Sequence, residues 1–175
     1  DLIRYRMENE ASVQRAAECH IQTEFGEFRL VAYHDEIESQ THLALVRGEI
    51  RSDQPTLVRV HVHTSLVDLV SLRAGSWPLR EAMARIAKEG GVLVVLNQDE
   101  PADELIRHIQ HFHRQEQGHE PAVRRPQQAL RTYGLGSQIL ADLGVRRLRV
   151  LGAPVKTPGL SGFGLEITDY IHPDT

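Results

Sequence analysis

The chain is poor in cysteine: Cys19 is the single one in 175 residues, so no internal disulfide can form and no zinc site can be built on cysteines alone. A reducing cytoplasm suits that usage better than export. Long apolar runs are missing too, and no membrane-spanning helix is expected. There is no basic excess, because 20 Lys and Arg face 24 Asp and Glu, for a net charge of -4 and a pI near 6.2. Nucleic-acid surfaces carry a clustered positive field, so no DNA or RNA partner is expected. Aromatic residues make up 5% of the chain, with Trp77 its one tryptophan. That is too few to argue for or against a pocket for a flat ligand. Repeats and low-complexity tracts are absent.

What is present suffices for one core. The β-rich stretches 16–23, 27–34, 42–47 and 56–63 are separated by turn-prone Gly26, Gly48 and Asp53-Gln54-Pro55. They predict an antiparallel β region in the first third. A helix is predicted over 78–89, with Leu79, Met83 and Ile86 on one face, Pro78 in its first turn and Gly90-Gly91 as its stop. The short β-branched run 92–97 reads as a strand covered on both faces. Apolar spacing over 102–117 predicts a helix that turns Ile109 and Phe112 to the core, and 118–128 reads as a polar surface loop. A helix over 134–143, stopped by Gly144, then leads to strands at 147–151 and 165–170. The expected fold is a single α+β domain, an antiparallel β region followed by an α/β half on a mixed sheet.

Three groups of residues invite a chemical reading. His61 and His63, two apart on a strand, point to one face and are able to chelate a metal, but no third ligand stands beside them in sequence. Asp68 would complete a substitute set only through a rearranged loop. His108 and His111 share a helix face and His113 points elsewhere, which reads as a solvated polar face. Asp99, Glu100, Asp103 and Glu104 surround Pro101 at the start of a helix, where acidic side chains favour the helix dipole.

Several motifs resemble the GTP cyclohydrolase II family of riboflavin biosynthesis. Arg59-Val-His-Val-His-Thr64 and Leu72-Arg73-Ala-Gly-Ser76 are similar to the family's R-V-H-x-E-C and L-R-C-D-C, whose three thiolates hold a catalytic zinc. The segment from Ala129 to Val145 is similar to D-L-R-D-Y-G-I-G-A-Q-I-L-x-D-L-G-V, and the segment from Gly159 to Ile167 resembles the family's L-x-G-Y-G-L-E-V end. The resemblance implies a cyclohydrolase II-like fold, with Arg59, His61, Gln98 and Lys156 at substrate-binding places and Arg131 at the place of the catalytic arginine. It also locates the losses. His63 replaces a glutamate and Thr64 the first zinc cysteine, while Ala74, Gly75 and Ser76 share the places of the other two. Ala129 replaces the proton-accepting aspartate. The family's R-Q-E-G-R-G-I-G loop reads here Asn97-Gln98-Asp99-Glu100-Pro101-Ala102-Asp103-Glu104, acidic where a triphosphate needs cations and open backbone amides.

Family members use zinc, with magnesium for GTP; no cofactor and no metal is expected here, the open alternative being a metal on His61 and His63. Asp1-Leu-Ile-Arg-Tyr-Arg6 resembles the segment joining dihydroxybutanone-phosphate synthase domains to cyclohydrolase II domains. An interdomain linker helix over 1–14, a cyclohydrolase II-like domain over 15–175, an N-terminal synthase domain as partner and a homodimer are the corresponding expectations. The expected function is a non-catalytic structural or regulatory domain beside that synthase. The alternative is an active GTP cyclohydrolase II, or a relative with altered metal site and substrate, using His61, His63 and Arg131.

Overall fold

A computed structural model describes residues 12–72, 77–118, 126–154 and 160–173, with residues 126–130 as backbone only. In chain order the elements are β1 (Val13–Thr23), β2 (Gly26–Asp35), β3 (Gln40–Arg47), β4 (Pro55–Val62), α1 (Ser65–Leu69), α2 (Leu79–Glu89), β5 (Gly91–Leu96), α3 (Glu104–Glu116), α4 (Pro126–Asp142), β6 (Arg147–Leu151), a 3-10 turn (Leu160–Phe163) and β7 (Glu166–Ile171). The strands form one seven-stranded sheet in the order β1-β2-β3-β5-β4-β6-β7. β1, β2, β3 and β5 pair antiparallel, whereas β5, β4, β6 and β7 run parallel. The α+β fold with a mixed sheet is the expected one. Most of the expected linker helix lies outside the described residues, and Val13 and Gln14 already belong to β1.

β4 departs from the expectation. It follows three antiparallel strands in sequence but lies in the parallel half, between β5 and β6. Alternation reports which face of a strand is buried; it carries no information on the direction of the neighbour. All six residues of β5 are buried, as a central strand covered on both faces requires. On one face Val58, Val92, Val94 and Leu96 meet Leu135, Ile139 and Leu140 of α4. On the other, Leu57, Leu93 and Val95 meet Trp77, Ala82 and Ile86 beside and within α2.

α4 starts at Pro126, well before the expected 134, because proline suits a first turn where its missing N–H is no loss. Gly134 and Gly136 are therefore interior helical residues. A Cβ at Gly136 would lie 3.2 Å from both methyl carbons of Val60, so the glycine lets the helix lie close to β4. The rest of the predicted loop, 119–125, lies outside the described residues. Polar side chains also fasten α4. Gln138 Oε1 accepts the Ser12 amide at 2.7 Å, and Asp142 Oδ2 accepts from the Tyr33 hydroxyl at 2.7 Å and from Arg15 Nη2 at 2.9 Å. Burial, with the Asp142 carboxylate second, pushes the Tyr33 phenol well above its ordinary range.

α3 overturns the prediction for its apolar face. Leu105, Ile106 and Ile109 are 44%, 57% and 52% exposed, and no residue of the helix is buried. Glu104, His108, His111 and Gln115 are half-buried, as is Phe112. The histidine-bearing face expected in solvent is thus turned to the domain. α2 and α4 already cover both faces of β5, which leaves α3 no core surface to bury its apolar stripe on.

Among the glycines of the described residues, the tightest approach is at Gly91 (φ +142), where a Cβ would sit 2.1 Å from the Leu57 carbonyl oxygen. Gly91→Ala is expected to cost more than about 3 kcal/mol, since a backbone clash adds to a conformation that L residues avoid. Gly136→Ala should cost no more than about 1 kcal/mol, because helix propensity offsets the mild crowding of a side chain. Urea unfolding of the two variants checks the order; equal midpoints contradict it.

Candidate functional site

Two crossovers leave the central strands in opposite directions: β4 leads to α2 on one face and β5 leads to α4 on the other. Adjacent parallel strands that part this way leave a crevice beyond their carboxyl ends, where α/β proteins place ligands. His63, Thr64 and Asp68 follow β4 into this place, and residues 97–100 follow β5.

The histidines and the aspartate meet there. His61 Nε2 lies 2.7 Å from Asp68 Oδ1 and His63 Nδ1 lies 2.6 Å from Asp68 Oδ2, while the Thr64 amide donates to Asp68 Oδ2 at 3.2 Å. α1, one turn past the strand, carries Asp68 back onto both rings, so the meeting needs no rearranged loop. Each short contact fits a ring N–H donating to a carboxylate oxygen, the tautomer assigned from the bonding partner. The His61 side chain is 6% exposed and that of Asp68 8%, against 42% for His63. Burial lowers the His61 pKa against the opposing pull of Asp68.

These donors do not fit the family's zinc. Thr64 offers a neutral hydroxyl where a thiolate is needed, and its Oγ1 is buried with no hydrogen-bond partner among the described residues. Both imidazoles turn a nitrogen to Asp68 rather than to a common point, and no three His, Cys, Asp or Glu side chains of the described residues are grouped to hold a metal ion. Residues 73–76, and with them Ala74, Gly75 and Ser76, lie outside the described residues.

The loop after β5 is tied down on two sides. The Asn97 amide donates to His42 Nδ1 at 3.0 Å, and Asn97 Nδ2 donates to the Thr41 carbonyl at 2.6 Å. Gln40 Nε2 donates to Asp99 Oδ1. Across the crevice, the Ser65 amide donates to Glu100 Oε1 at 2.7 Å and the Ser65 hydroxyl donates to Glu100 Oε2. The Glu100 carboxylate therefore sits on the first amide of α1, where an anionic ligand group would otherwise find a donor. Glu100 and Ser65 lie 35 residues apart, and no sequence signal pairs them.

The remaining predicted residues are dispersed. Arg59 donates from Nη1 to the Leu151 carbonyl at 3.1 Å and from Nη2 to the Trp77 carbonyl at 3.4 Å. Trp77 Nε1 in turn donates to the Ile171 carbonyl at 2.8 Å, which makes Arg59 part of a brace on the α2 face. Gln98 is half-buried in the loop after β5. Arg131 belongs to the other face, one helical turn before Leu135, and forms an ion pair with Glu38. Burial raises the Glu38 pKa, opposed by Arg131. Lys156 lies outside the described residues, and the Ala129 side chain is likewise not described.

A pair that sequence reading missed lies under the Arg131 end of α4. Asp35 and His42 are both 0% exposed, with Oδ2 and Nε2 3.8 Å apart. That gap is too long for a hydrogen bond, and neither atom has another partner among the described residues. Because Nδ1 accepts the Asn97 amide, the His42 proton resides on Nε2 and faces the carboxylate. Burial lowers the His42 pKa.

This fold is an α+β domain with a crevice at the switch point between β4 and β5. The chain matches the GTP cyclohydrolase II family over residues 14–172 and belongs to that family. It is 42% identical over 172 residues to a 3,4-dihydroxy-2-butanone 4-phosphate synthase of Photobacterium phosphoreum, covering 98% of this chain and 46% of that protein. It is 40% identical over 179 residues to the riboflavin biosynthesis protein RibBA of Chlorobium phaeovibrioides, covering 98% of this chain and 44% of that protein. Among solved structures it resembles RibBX, a two-domain 3,4-dihydroxy-2-butanone 4-phosphate synthase from A. baumannii, with TM-score 0.66 and 34% identity over 97% of this chain and 43% of that one. The chain thus spans under half the length of these relatives. No helix of the described residues is long and apolar enough to cross a membrane.

The two buried histidines set a pH dependence. A pKa lowered by folding means that the unfolded chain binds more protons, so His42 and His61 stabilise the fold above the ordinary histidine value of about 6.5, and that stability is lost as pH falls through their folded values. The urea midpoint is expected to fall between about pH 7 and pH 5, and to fall less in His61→Asn. A midpoint that stays level or rises on acidification contradicts this.

Proposed function

We propose that this chain is a cyclohydrolase II-like domain that does not turn over GTP and serves a structural or regulatory role in a cytoplasmic protein. Its partners in this reading are an N-terminal 3,4-dihydroxy-2-butanone 4-phosphate synthase domain of the same, longer polypeptide and a second copy of itself. The observation that carries the reading is the set of carboxylates in the crevice between β4 and β5. Glu100 bonds the amide and hydroxyl of Ser65, and Asp68 bonds His61 and His63.

A triphosphate needs cations and free amides at such a place; here it meets Asp68, Asp99 and Glu100. Opening the crevice would also leave Glu100 and the Ser65 amide without each other, a cost that substrate contacts would have to exceed. Arg131 is paired with Glu38, and no carboxylate stands at position 129 to act as base. The likeness to synthases about twice as long supports the partner in this reading.

Tag-free protein prepared without chelators is expected to contain well under one equivalent of zinc by elemental analysis and to release no formate from GTP with zinc and magnesium added. Near-stoichiometric zinc with formate release contradicts the proposal and favours an active enzyme built on His61, His63 and Arg131. For the supporting role, removing this domain from the longer protein is expected to reduce synthase activity or assembly. Full retention of both sinks that part.

A further inference from the structure

We propose that His42 is an acid-sensitive latch on the loop after β5: a second proton on its ring expels the Asn97 amide and loosens the loop that carries Glu100 to Ser65. The device goes beyond the reading above and holds whether or not the crevice accepts GTP. Three bonds are described between that loop and the start of β3, and two of them form a reciprocal stitch. The regular ladder of β3 with β5 ends at Leu43 and Val95. Beyond it the His42 ring accepts the Asn97 amide at 3.0 Å, while Asn97 Nδ2 donates to the Thr41 carbonyl at 2.6 Å. The first of these bonds depends on a bare ring nitrogen. An imidazolium donates from both nitrogens, so a protonated Nδ1 meets the Asn97 N–H donor to donor and the bond is lost.

Asp35 gives the charged ring a partner. Its side chain is 0% exposed, its Oδ1 accepts the Ile37 amide at 3.0 Å, and its Oδ2 lies 3.8 Å from His42 Nε2. Oδ2 has no hydrogen-bond partner among the described residues, so a slight turn of a charged ring closes an ion pair that the neutral ring leaves open. The groups of every element around the ring set the balance. Burial acts first and disfavours the charged form, Arg131 of α4 and His34 of β2 disfavour it too, and Asp35 of β2 opposes them. Arg131 is itself paired with Glu38. Tyr33, level with His42 in the register, is bonded to Asp142, and β5 is apolar throughout. In the loop, Asp99 is bonded to Gln40. The net effect lowers the His42 pKa, so the latch is shut at neutral pH and opens below the ordinary histidine value of about 6.5. Glu100 covers the amide and hydroxyl of Ser65 from this same loop. Acid therefore uncovers the first amide of α1.

NMR of isotope-labelled chain tests the latch by following the His42 ring nitrogens and the Asn97 and Ser65 amides as the pH is lowered from neutral. Nδ1 is expected to be the unprotonated nitrogen at neutral pH. On acidification the Asn97 and Ser65 signals should move with the midpoint of the His42 ring. Their protection against hydrogen exchange should fall at least about tenfold where Leu93 and Val94 still report a folded sheet. His42→Asn keeps an acceptor at the place of Nδ1 and removes the titration, so its Asn97 and Ser65 signals should stay in place. Asp35→Asn keeps an acceptor for Ile37 and loses the charge, and should move the transition to lower pH. A proton on Nδ1 at neutral pH overturns the latch, as does a ring that stays neutral until the chain unfolds. An Asn97 signal that stays still while the ring titrates overturns it as well. Equal movement in His42→Asn assigns the effect to carboxylates of the loop and overturns it too, and a Ser65 signal that does not follow Asn97 overturns the link to the crevice.

Discussion

The structure depends on the parallel pairing of β4 with β5 at the centre of the sheet. Val58 to Val62 run beside Val92 to Leu96, and the pairing is close enough at its start that only glycine fits against Leu57. β5 is buried along its whole length because α2 and α4 take one face each. That arrangement has two consequences. It creates a switch point beyond the strand ends, and it uses up the apolar surface on which a further helix would pack. The crevice and the outward stripe of α3 therefore follow from one constraint.

At the switch point the chain's own carboxylates are held by its own donors. Asp68 is held by two imidazoles and a backbone amide, and Glu100 by the amide and hydroxyl of Ser65. Each bond is charge-assisted or made to a carboxylate, and breaking one would strand a half-buried charge. The loop after β5 is stitched to β3 as well, through Asn97 and Asp99. The acidic side chains of this loop are each held by a donor elsewhere, Asp99 by Gln40, Glu100 by Ser65, and Asp103 and Glu104 by Arg107.

Much of the fold was legible in the sequence. Alternation gave β2 and the β-branched run gave β5, because burial writes its period directly into residue type, whereas β1, exposed along most of its length, was read from its β-rich composition. The motif from Leu130 to Val145 survives for physical reasons that its residues now explain: Gly136 admits β4, Gln138 caps the start of β1, and Asp142 holds Tyr33 and Arg15. The direction of β4 was not legible, since pairing partners 30 or more residues away leave no local trace. The apolar face of α3 misled for a related reason, as periodicity identifies a stripe and not what covers it. In the candidate site, His61 and His63 were visible as a pair; their junction through Asp68 depended on α1 folding back, and Glu100 on Ser65 depended on two loops meeting.

The central claim is that carboxylates of the chain itself occupy the place of a nucleotide between β4 and β5. The most direct measurement is a titration of isotope-labelled protein with GTP, magnesium and zinc, following the Thr64, Ser65 and Asn97 amides by two-dimensional NMR. Those signals are expected to stay in place while GTP is added to large excess. Saturable shifts at Ser65 and its neighbours would contradict the account and return the crevice to a binding role.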